Sequence, residues 1–410
     1  MNCRFCRSLL THRCLDLGSA PPSNAFLRPN QLSEPEVWFP LRLYVCQHCW
    51  LVQLDVAHER SEIFNADYVY HSSFSKSWLA HAEHFVRHAV KSEQLSANDW
   101  VVEIASNDGY LLQYFANQNI PCLGIEPSLS TASVAINRGI NTLVDFFGAQ
   151  LARELRSSHP KGASLIVANN VLAHVPDLND FVEAMAILLG SEGSLSLEFP
   201  HLLRLVDGCQ FDTIYHEHYS YFSLCTVERV LAQHDLRIWN VEALETHGGS
   251  LRVWACHAGS QRVNREEVSR LIEEELHRGI EGAGFYSGLQ RAAEKTKFEL
   301  LDYLLSAKRA GHRVVGYGAA AKGNTLLNFA GVRPDLLPWV ADASDFKQGL
   351  YLPGSRIPVV APRFIEEQQP DIVLVLPWNL MPEISRQLQG ISRWGGKLAS
   401  AIPRLIEVAA

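Results

Sequence analysis

Between residues 211 and 224 the chain reads Phe-Asp-Thr-Ile-Tyr-His-Glu-His-Tyr-Ser-Tyr-Phe-Ser-Leu. Its centre, Tyr215-His216-Glu217-His218, gathers a phenol, two imidazoles and a carboxylate in four positions. An imidazole titrates near neutrality, so such a stretch suits removing or returning a proton at physiological pH. His218 is the candidate base. Tyr215 and Glu217, with His174 from an earlier segment, are candidates to orient that base or to donate to a developing oxyanion. His216, Tyr221 and His247 are candidate substrate contacts. A metal site is the competing reading for His216 and His218, because residues two apart on an extended stretch face the same way, but the helical His-Glu-x-x-His arrangement is missing.

A second chemistry lies at the N-terminus, where Cys3 and Cys6, and Cys46 and Cys49, form two Cys-x-x-Cys pairs. That spacing turns both thiolates of a tight turn toward one tetrahedral ion, and two pairs complete a four-thiolate zinc shell. A closed shell leaves no position for water, so the expected role is structural, with metal binding coupled to folding of a module too small to hold itself together. A redox pair is the alternative, and two pairs flanking one module favour a saturated site. In the loop Pro21-Pro22-Ser23-Asn24-Ala25-Phe26, Asn24 could reach a ligand. Cys14, Cys122, Cys209, Cys225 and Cys256 stand singly and read as small buried hydrophobes.

The elements that must carry these groups alternate strand and helix from Asp99 onward, the pattern of a parallel sheet with crossovers. Trp100 to Ile104 is a buried strand, Ala105-Ser106-Asn107-Asp108-Gly109 a tight turn, and an apolar helix is expected from about Tyr110. Such a corner lets backbone N–H groups meet a nucleotide closely. Glu126-Pro127 closes the next strand 17 positions after Gly109, where a carboxylate accepts the hydroxyls of an adenosine ribose. Strands near 142–144, 164–168 and 194–198 follow; Phe146 and Phe147 could flank an adenine, and Asn169 and Asn170 sit at a strand end. Glu103, Ser106, Asn107, Gly109, Glu126, Pro127, Phe146, Phe147, Asn169 and Asn170 are therefore the candidate cofactor contacts. Two short strands joined by Thr246-His247-Gly248-Gly249 read as a hairpin. An antiparallel hairpin closing a doubly wound parallel sheet resembles the class I methyltransferase fold, not the nicotinamide-binding one.

Behind helical stretches at 265–278 and 287–310 comes another α/β unit. His312 to Tyr317 is a strand, and Gly318-Ala319-Ala320-Ala321-Lys322-Gly323-Asn324-Thr325 opens a helix. Small residues let backbone approach a phosphate, and Lys322 offers a point charge. Gly318, Lys322, Asn324, Lys347 and Trp378 are candidate substrate contacts. Walker spacing is absent, which argues against ATP hydrolysis. Strands at 337–341 and 372–376 complete a small Rossmann-like sheet; a packing domain with a decayed nucleotide site is the other reading.

At 410 residues the chain has room for two or three units, expected here at 1–66, 67–260 and 261–410. The formal charge of −8 supplies no basic face for nucleic acid and points to a small-molecule partner. No apolar run approaches the roughly 20 residues that span a bilayer, and the cysteine- and arginine-bearing N-terminus lacks a leader pattern, so the expected place is the cytoplasm.

The paired cysteines, Val102-Glu103-Ile104-Ala105-Ser106-Asn107-Asp108-Gly109, Tyr215-His216-Glu217-His218 and Thr246-His247-Gly248-Gly249-Ser250-Leu251-Arg252 together resemble the sugar C-methyltransferases of deoxysugar biosynthesis, in order along essentially the whole chain. The resemblance implies an S-adenosylmethionine (SAM)-dependent enzyme that methylates C-3 of a 4-keto-6-deoxysugar linked to a nucleotide diphosphate, dTDP by expectation; a monomer or weak homo-oligomer is the separate expectation for its assembly. It implies tyrosine, glutamate and histidine roles at Tyr215, Glu217, His218 and His174, with the rear unit holding the nucleotide. Ala105 departs from it, since relatives often carry glycine there; its methyl is small and is expected to be harmless. A nicotinamide-dependent oxidoreductase and a non-catalytic zinc protein that binds nucleotide sugars are the competing readings.

Overall fold

The computed structural model describes residues 1–55 and 72–409. The unit boundary expected at 66/67 lies outside the described residues. Among the described residues three sheets organise the fold.

The front sheet is antiparallel: β1 (His12–Ala20), β2 (Phe39–Val45) and β3 (Val52–Leu54). Its fourth strand comes from far along the chain, where Ser220 and Tyr221 pair with Gln53 and Val52.

The central sheet has β4 (Val101–Ile104), β5 (Cys122–Ile125), β6 (Thr142–Leu143), β7 (Ala163–Asn169) and β8 (Leu189–Pro200); Ser220–Tyr221 is β9, and β10 (Leu236–Leu244) and β11 (Ser250–His257) close the sheet. The order is β10-β11-β8-β7-β4-β5-β6, parallel except that β11 runs antiparallel to both neighbours. This is the hairpin-closed sheet of class I methyltransferases. Every residue of β4 is buried, as a strand covered on both faces requires. The helix expected from Tyr110 begins at Leu112 and lasts five residues.

The rear sheet is β14 (Val359–Val360), β13 (Val340–Ala341), β12 (Val314–Tyr317), β15 (Ile372–Val375), β16 (Lys397–Ser400) and β17 (Ile406–Ala409), parallel apart from the last pair. Helix Leu289–Arg309 spans the junction. Its buried residues, Leu289, Ala293, Thr296, Leu300, Leu304 and Ala307, recur at the three- and four-residue spacing of one helix face, and they share a core with β1 and the rear sheet. A buried pair ties the middle to this junction: Glu275 accepts from His201 at 2.6 Å and from the Leu224 and Cys225 N–H groups at 2.7 and 2.9 Å. Among the described residues no helix is long and apolar enough to cross a membrane.

Candidate active site

Cys3 and Cys6 lie before β1, and Cys46 and Cys49 between β2 and β3. All four sulfurs fall within 4.8 Å of one another, with Cys3–Cys49 and Cys6–Cys46 at 3.5 Å. A zinc–sulfur bond of about 2.3 Å in a tetrahedron sets sulfur–sulfur edges of roughly 3.8 Å, so the four thiolates fit zinc almost as they stand. Arg4, inside this knuckle, donates to the carbonyls of Leu54 at 2.8 Å and Tyr219 at 3.1 Å, tying the metal site to β9.

A continuous cavity of about 380 Å³ opens over the carboxyl ends of β4, β5 and β7. At the end of β4, Ala105 and Asn107 both take left-handed conformations, φ +56° and +50°, which makes the turn tight. The Asn107 and Ser128 N–H groups each donate to the Glu126 carboxylate at 2.9 Å, fixing it at the strand end, while burial pushes its pKa up. Asn169 and Asn170 face the same space, and among the described residues their buried side-chain oxygens accept no hydrogen bond. Phe146 and Phe147 form the opposite wall, Phe147 edge-on to Phe181.

The Phe211–Leu224 stretch crosses the top of this cavity. Phe211–Thr213 is a single 3₁₀ turn, a bend follows at His216-Glu217, and β9 begins at Ser220. It is held from three sides: Thr325 Oγ1 donates to the Ile214 carbonyl at 2.9 Å, the Tyr219 N–H to Ala173 at 2.7 Å, and the Leu54 N–H to Tyr219 at 3.0 Å. The Thr213 carbonyl lies 3.0 Å from Nδ1 of His218, which assigns the ring proton to that nitrogen. Nε2 is then the acceptor for the Tyr215 hydroxyl at 2.8 Å. Burial, reinforced by the neighbouring His174, holds His218 well below the ordinary imidazole value, so its base form prevails at neutral pH. His174 stands edge-on, ring centres 4.6 Å apart, with its own pKa lowered by burial to about 4, and hydrogen-bonds the Glu217 carbonyl. Both Glu217 oxygens accept from the Asn24 amide at 2.8 Å; burial pushes this carboxyl up to about 7, opposed by Asn24 and more weakly by Lys347.

The rear unit supplies the far wall through Ala320, Ala321, Lys322, Lys347, Pro377 and Asn379. Lys322 Nζ donates to Asn379 Oδ1 at 2.7 Å, and burial lowers its pKa while Asp212 raises it. Lys347 Nζ donates to the Ala319 carbonyl at 2.9 Å.

Residues 3–64 match a family described as a "Putative zinc binding domain", 78–241 a "Methyltransferase domain" and 245–403 a "C-methyltransferase C-terminal domain". C-methyltransferase NovU of Streptomyces niveus is 32% identical over 401 residues, covering 98% of this chain and 95% of its own. The chain belongs to the C-methyltransferase family. Among solved structures, magnesium protoporphyrin IX methyltransferase of Synechocystis PCC 6803 with bound SAM is 14% identical, covering 44% of this chain and 79% of its own at a TM-score of 0.34. PH0226 of Pyrococcus horikoshii is 12% identical, covering 49% and 100%, at 0.37. By its family domains and its relative, the protein is a SAM-dependent C-methyltransferase, and its four-thiolate module fits a structural zinc.

The C-methyltransferase brings Tyr215, Glu217, His218, His174 and His247 to one cavity, together with Asn107, Glu126, Pro127, Phe146, Phe147, Asn169, Asn170, Lys322 and Lys347. Other expected contacts are elsewhere. Glu103 is buried on the strand, where burial drives its pKa far up, and it is not among the residues that line the cavity. Ser106 is buried against Gly124, where an added methyl would stand 2.4 Å from its hydroxyl, and Gly109 serves the turn, at φ +77° and packed on Ile140 and Ala135. His216 points away from the cavity, since the bend at 216–217 breaks the extended stretch that would have aligned it with His218; its Nε2 meets the Pro40 carbonyl at 3.2 Å and its ring lies against Phe39. Tyr221 belongs to the front sheet ladder, outside the main cavity.

In the rear unit Gly318 makes room for Pro377, whose Cδ would stand 2.4 Å from an added methyl, in place of a phosphate. Asn324 donates to the Ser23 carbonyl at 2.6 Å, a contact within the protein. Trp378 donates to Asp212 at 2.8 Å and covers Lys322, 4.8 Å from its ring centre; it packs on Gly248 and is no cavity wall. Sequence reasoning missed the wall formed by Trp78 and Tyr110, which carry only the apolar pattern of their elements, and gave no role to Asp212. Ala105 also needs its reason corrected. Glycine suits that position because of the backbone's positive φ, which a side chain opposes whatever its size.

Proposed function

We propose that this C-methyltransferase transfers the SAM methyl group to C-3 of a dTDP-linked 4-keto-6-deoxysugar through an enolate formed in the cavity. One observation carries the reading: the donor corner, the Tyr215–Glu217–His218 group and the two lysines of the rear unit share a single cavity. A donor, an acid–base group and an anion-binding wall are the three things such a reaction needs.

In this reading Glu126 receives the ribose hydroxyls, Phe146, Phe147 and Pro127 flank the adenine, and Asn107, Asn169 and Asn170 hold the amino-acid end. Lys322 and Lys347 face the sugar diphosphate as point charges, and His247, its ring tilted 60° against Trp78 and its pKa lowered by burial to about 4, borders the sugar as a neutral ring. A hydrogen on the carbon beside a ketone is weakly acidic, so a base must remove it. His218 is the base: its Nε2 takes the C-3 proton, the C–H electron pair becomes the enolate, and the Tyr215 hydroxyl donates to the charge that forms on the C-4 oxygen. His218 is suited to this because its Nε2 is unprotonated and its Nδ1–H is braced by Thr213. Ionised Glu217 accepts a sugar hydroxyl and fixes the ring over C-3. Bound SAM supplies an electrophilic methyl on its sulfonium.

The test is to incubate the enzyme with labelled SAM and a panel of dTDP-4-keto-6-deoxysugars and to locate the label by NMR. A carbon–carbon bond at C-3 is expected; label on oxygen or nitrogen sinks the reading. His218→Asn should bind SAM normally and lose about 10²- to 10⁴-fold in kcat. Near-normal turnover would remove His218 from proton transfer.

A further inference from the structure

The loop between β1 and β2 leaves the zinc module and runs to the catalytic cavity. The rear unit grips it at two points: Asn324 donates to the Ser23 carbonyl at 2.6 Å, and Leu27 exchanges backbone hydrogen bonds of 2.9 and 2.8 Å with Tyr351. A third contact lies just beyond, where Glu36 accepts from the Gly354 N–H at 2.7 Å and from Arg356 Nε at 2.9 Å. The loop is thus clamped between two units, with Asn24 at the cavity.

Asn24 meets one catalytic group. Its amide sits 2.8 Å from both oxygens of Glu217, and its backbone N–H contributes a further hydrogen bond to the same carboxyl. Glu217 is 3% exposed, and a carboxylate so enclosed needs donors to keep its charge and its direction. Among the described residues, Asn24 supplies the hydrogen bonds shown for that carboxyl, and Lys347 faces it from the rear unit. Tyr215, His174 and His218 are the titratable neighbours on the middle unit. An amide fits this post because it donates without adding a charge.

We infer that Asn24 is a positioning residue for methyl transfer: the zinc module extends a loop, braced by the rear unit, whose amide fixes the Glu217 carboxylate toward the sugar. The zinc then acts on catalysis through this loop as well as on folding. The inference rests on the role given to Glu217 above.

Removing the amide frees the carboxylate to rotate, and a misplacement of about 1 Å in such a group costs on the order of 10²-fold in rate. It also removes a donor that favours the ionised form, so the Glu217 pKa rises and the acidic limb of the kcat profile moves to higher pH. Asn24→Asp keeps the shape but sets a second carboxylate against the first, moving the limb further the same way.

The experiment compares Asn24→Ala, Asn24→Asp and Glu217→Ala in the full chain, measuring zinc content, SAM affinity by calorimetry, and kcat and KM against pH. Expected for both Asn24 variants are one zinc per chain, unchanged SAM affinity, kcat lower by about 10- to 100-fold and an acidic limb displaced upward, most in Asn24→Asp. An unmoved limb with wild-type kcat in Asn24→Ala overturns the inference, as does loss of zinc from that variant, which would make Asn24 a folding residue. Glu217→Ala separates the two ideas. If it is inactive while Asn24→Ala behaves as wild type, only Asn24 is removed; if it turns over normally, the role of Glu217 fails and the inference with it.

Discussion

Glu217 carries a cost that its chemistry imposes on the fold. Burial raises its carboxyl from the ordinary range to about 7, so the folded protein binds that proton more tightly than the unfolded chain does. The stabilising effect of the protonated form is complete below the unfolded value near 4.5 and is lost as pH rises through about 7. Glu217→Gln, which cannot ionise, is therefore expected to be more stable than the parent at pH 8, by about 2 to 3 kcal/mol, and nearly equal at pH 5. Thermal melts at the two pH values check this; the same difference at both would mean that the charge is not what strains the site. At this scale the sequence was informative about residue type and poor on direction. Tyr215, Glu217, His218 and His174 do face one cavity, as their chemistry suggested. His216 carries the same chemistry yet faces Pro40, because a bend that spacing does not reveal lies between it and His218. Glu103 and Glu126 look alike in sequence, each near a strand end; Glu103 pairs with Gly124 inside the sheet, two positions short of Glu126, which stands just past β5.

Among the elements, those with a strong local pattern were legible. The buried run of β4, the hairpin β10–β11 and helix Leu289–Arg309 each announce themselves through apolar periodicity and turn residues. The two-residue strands β13 and β14 are too short to carry a period, and β9 exists only because Ser220 and Tyr221 meet a strand more than 160 positions earlier. The rear corner shows how an element can be read correctly and its residue roles wrongly. Small residues around Gly318 suggest a backbone approach to phosphate; at φ +86°, with Pro377 against it, Gly318 is instead the joint between β12 and the loop after β15. Gly318→Ala adds a methyl 2.4 Å from Pro377 Cδ and an unfavourable φ, for an expected loss of about 2 to 4 kcal/mol. Chemical denaturation measures it, and a loss under about 0.5 kcal/mol, the ordinary range for a surface change, would show that Pro377 yields freely.

Across the whole molecule, each unit sends something into its neighbour: the front gives a loop, the middle gives β9 to the front sheet, and the rear gives Trp378 to the middle. Trp378 donates its indole N–H to Asp212 at 2.8 Å at the start of the catalytic stretch, and its ring fills the space that Gly248 leaves open in the hairpin turn. Asp212 is fully buried, and burial has pushed its pKa up to about 6, against the pull of Lys322 and the indole. Trp378→Phe keeps an aromatic ring and deletes the donor. The carboxylate then loses a partner it cannot replace with water, a change worth about 1 to 3 kcal/mol, and its pKa rises further. Because a raised acid weakens the fold as pH climbs through its folded value, the deficit should be larger at pH 8 than at pH 5, where Asp212 is mostly protonated in either protein. The same change should raise the KM of the acceptor and leave SAM affinity intact, since Trp378 touches the catalytic stretch and Lys322 but none of the donor corner. Melts at both pH values and steady-state kinetics read the two effects. A pH-independent deficit would assign the loss to ring packing alone, and a matching fall in SAM affinity would mean that the rear unit props up the donor corner as well as the sugar wall.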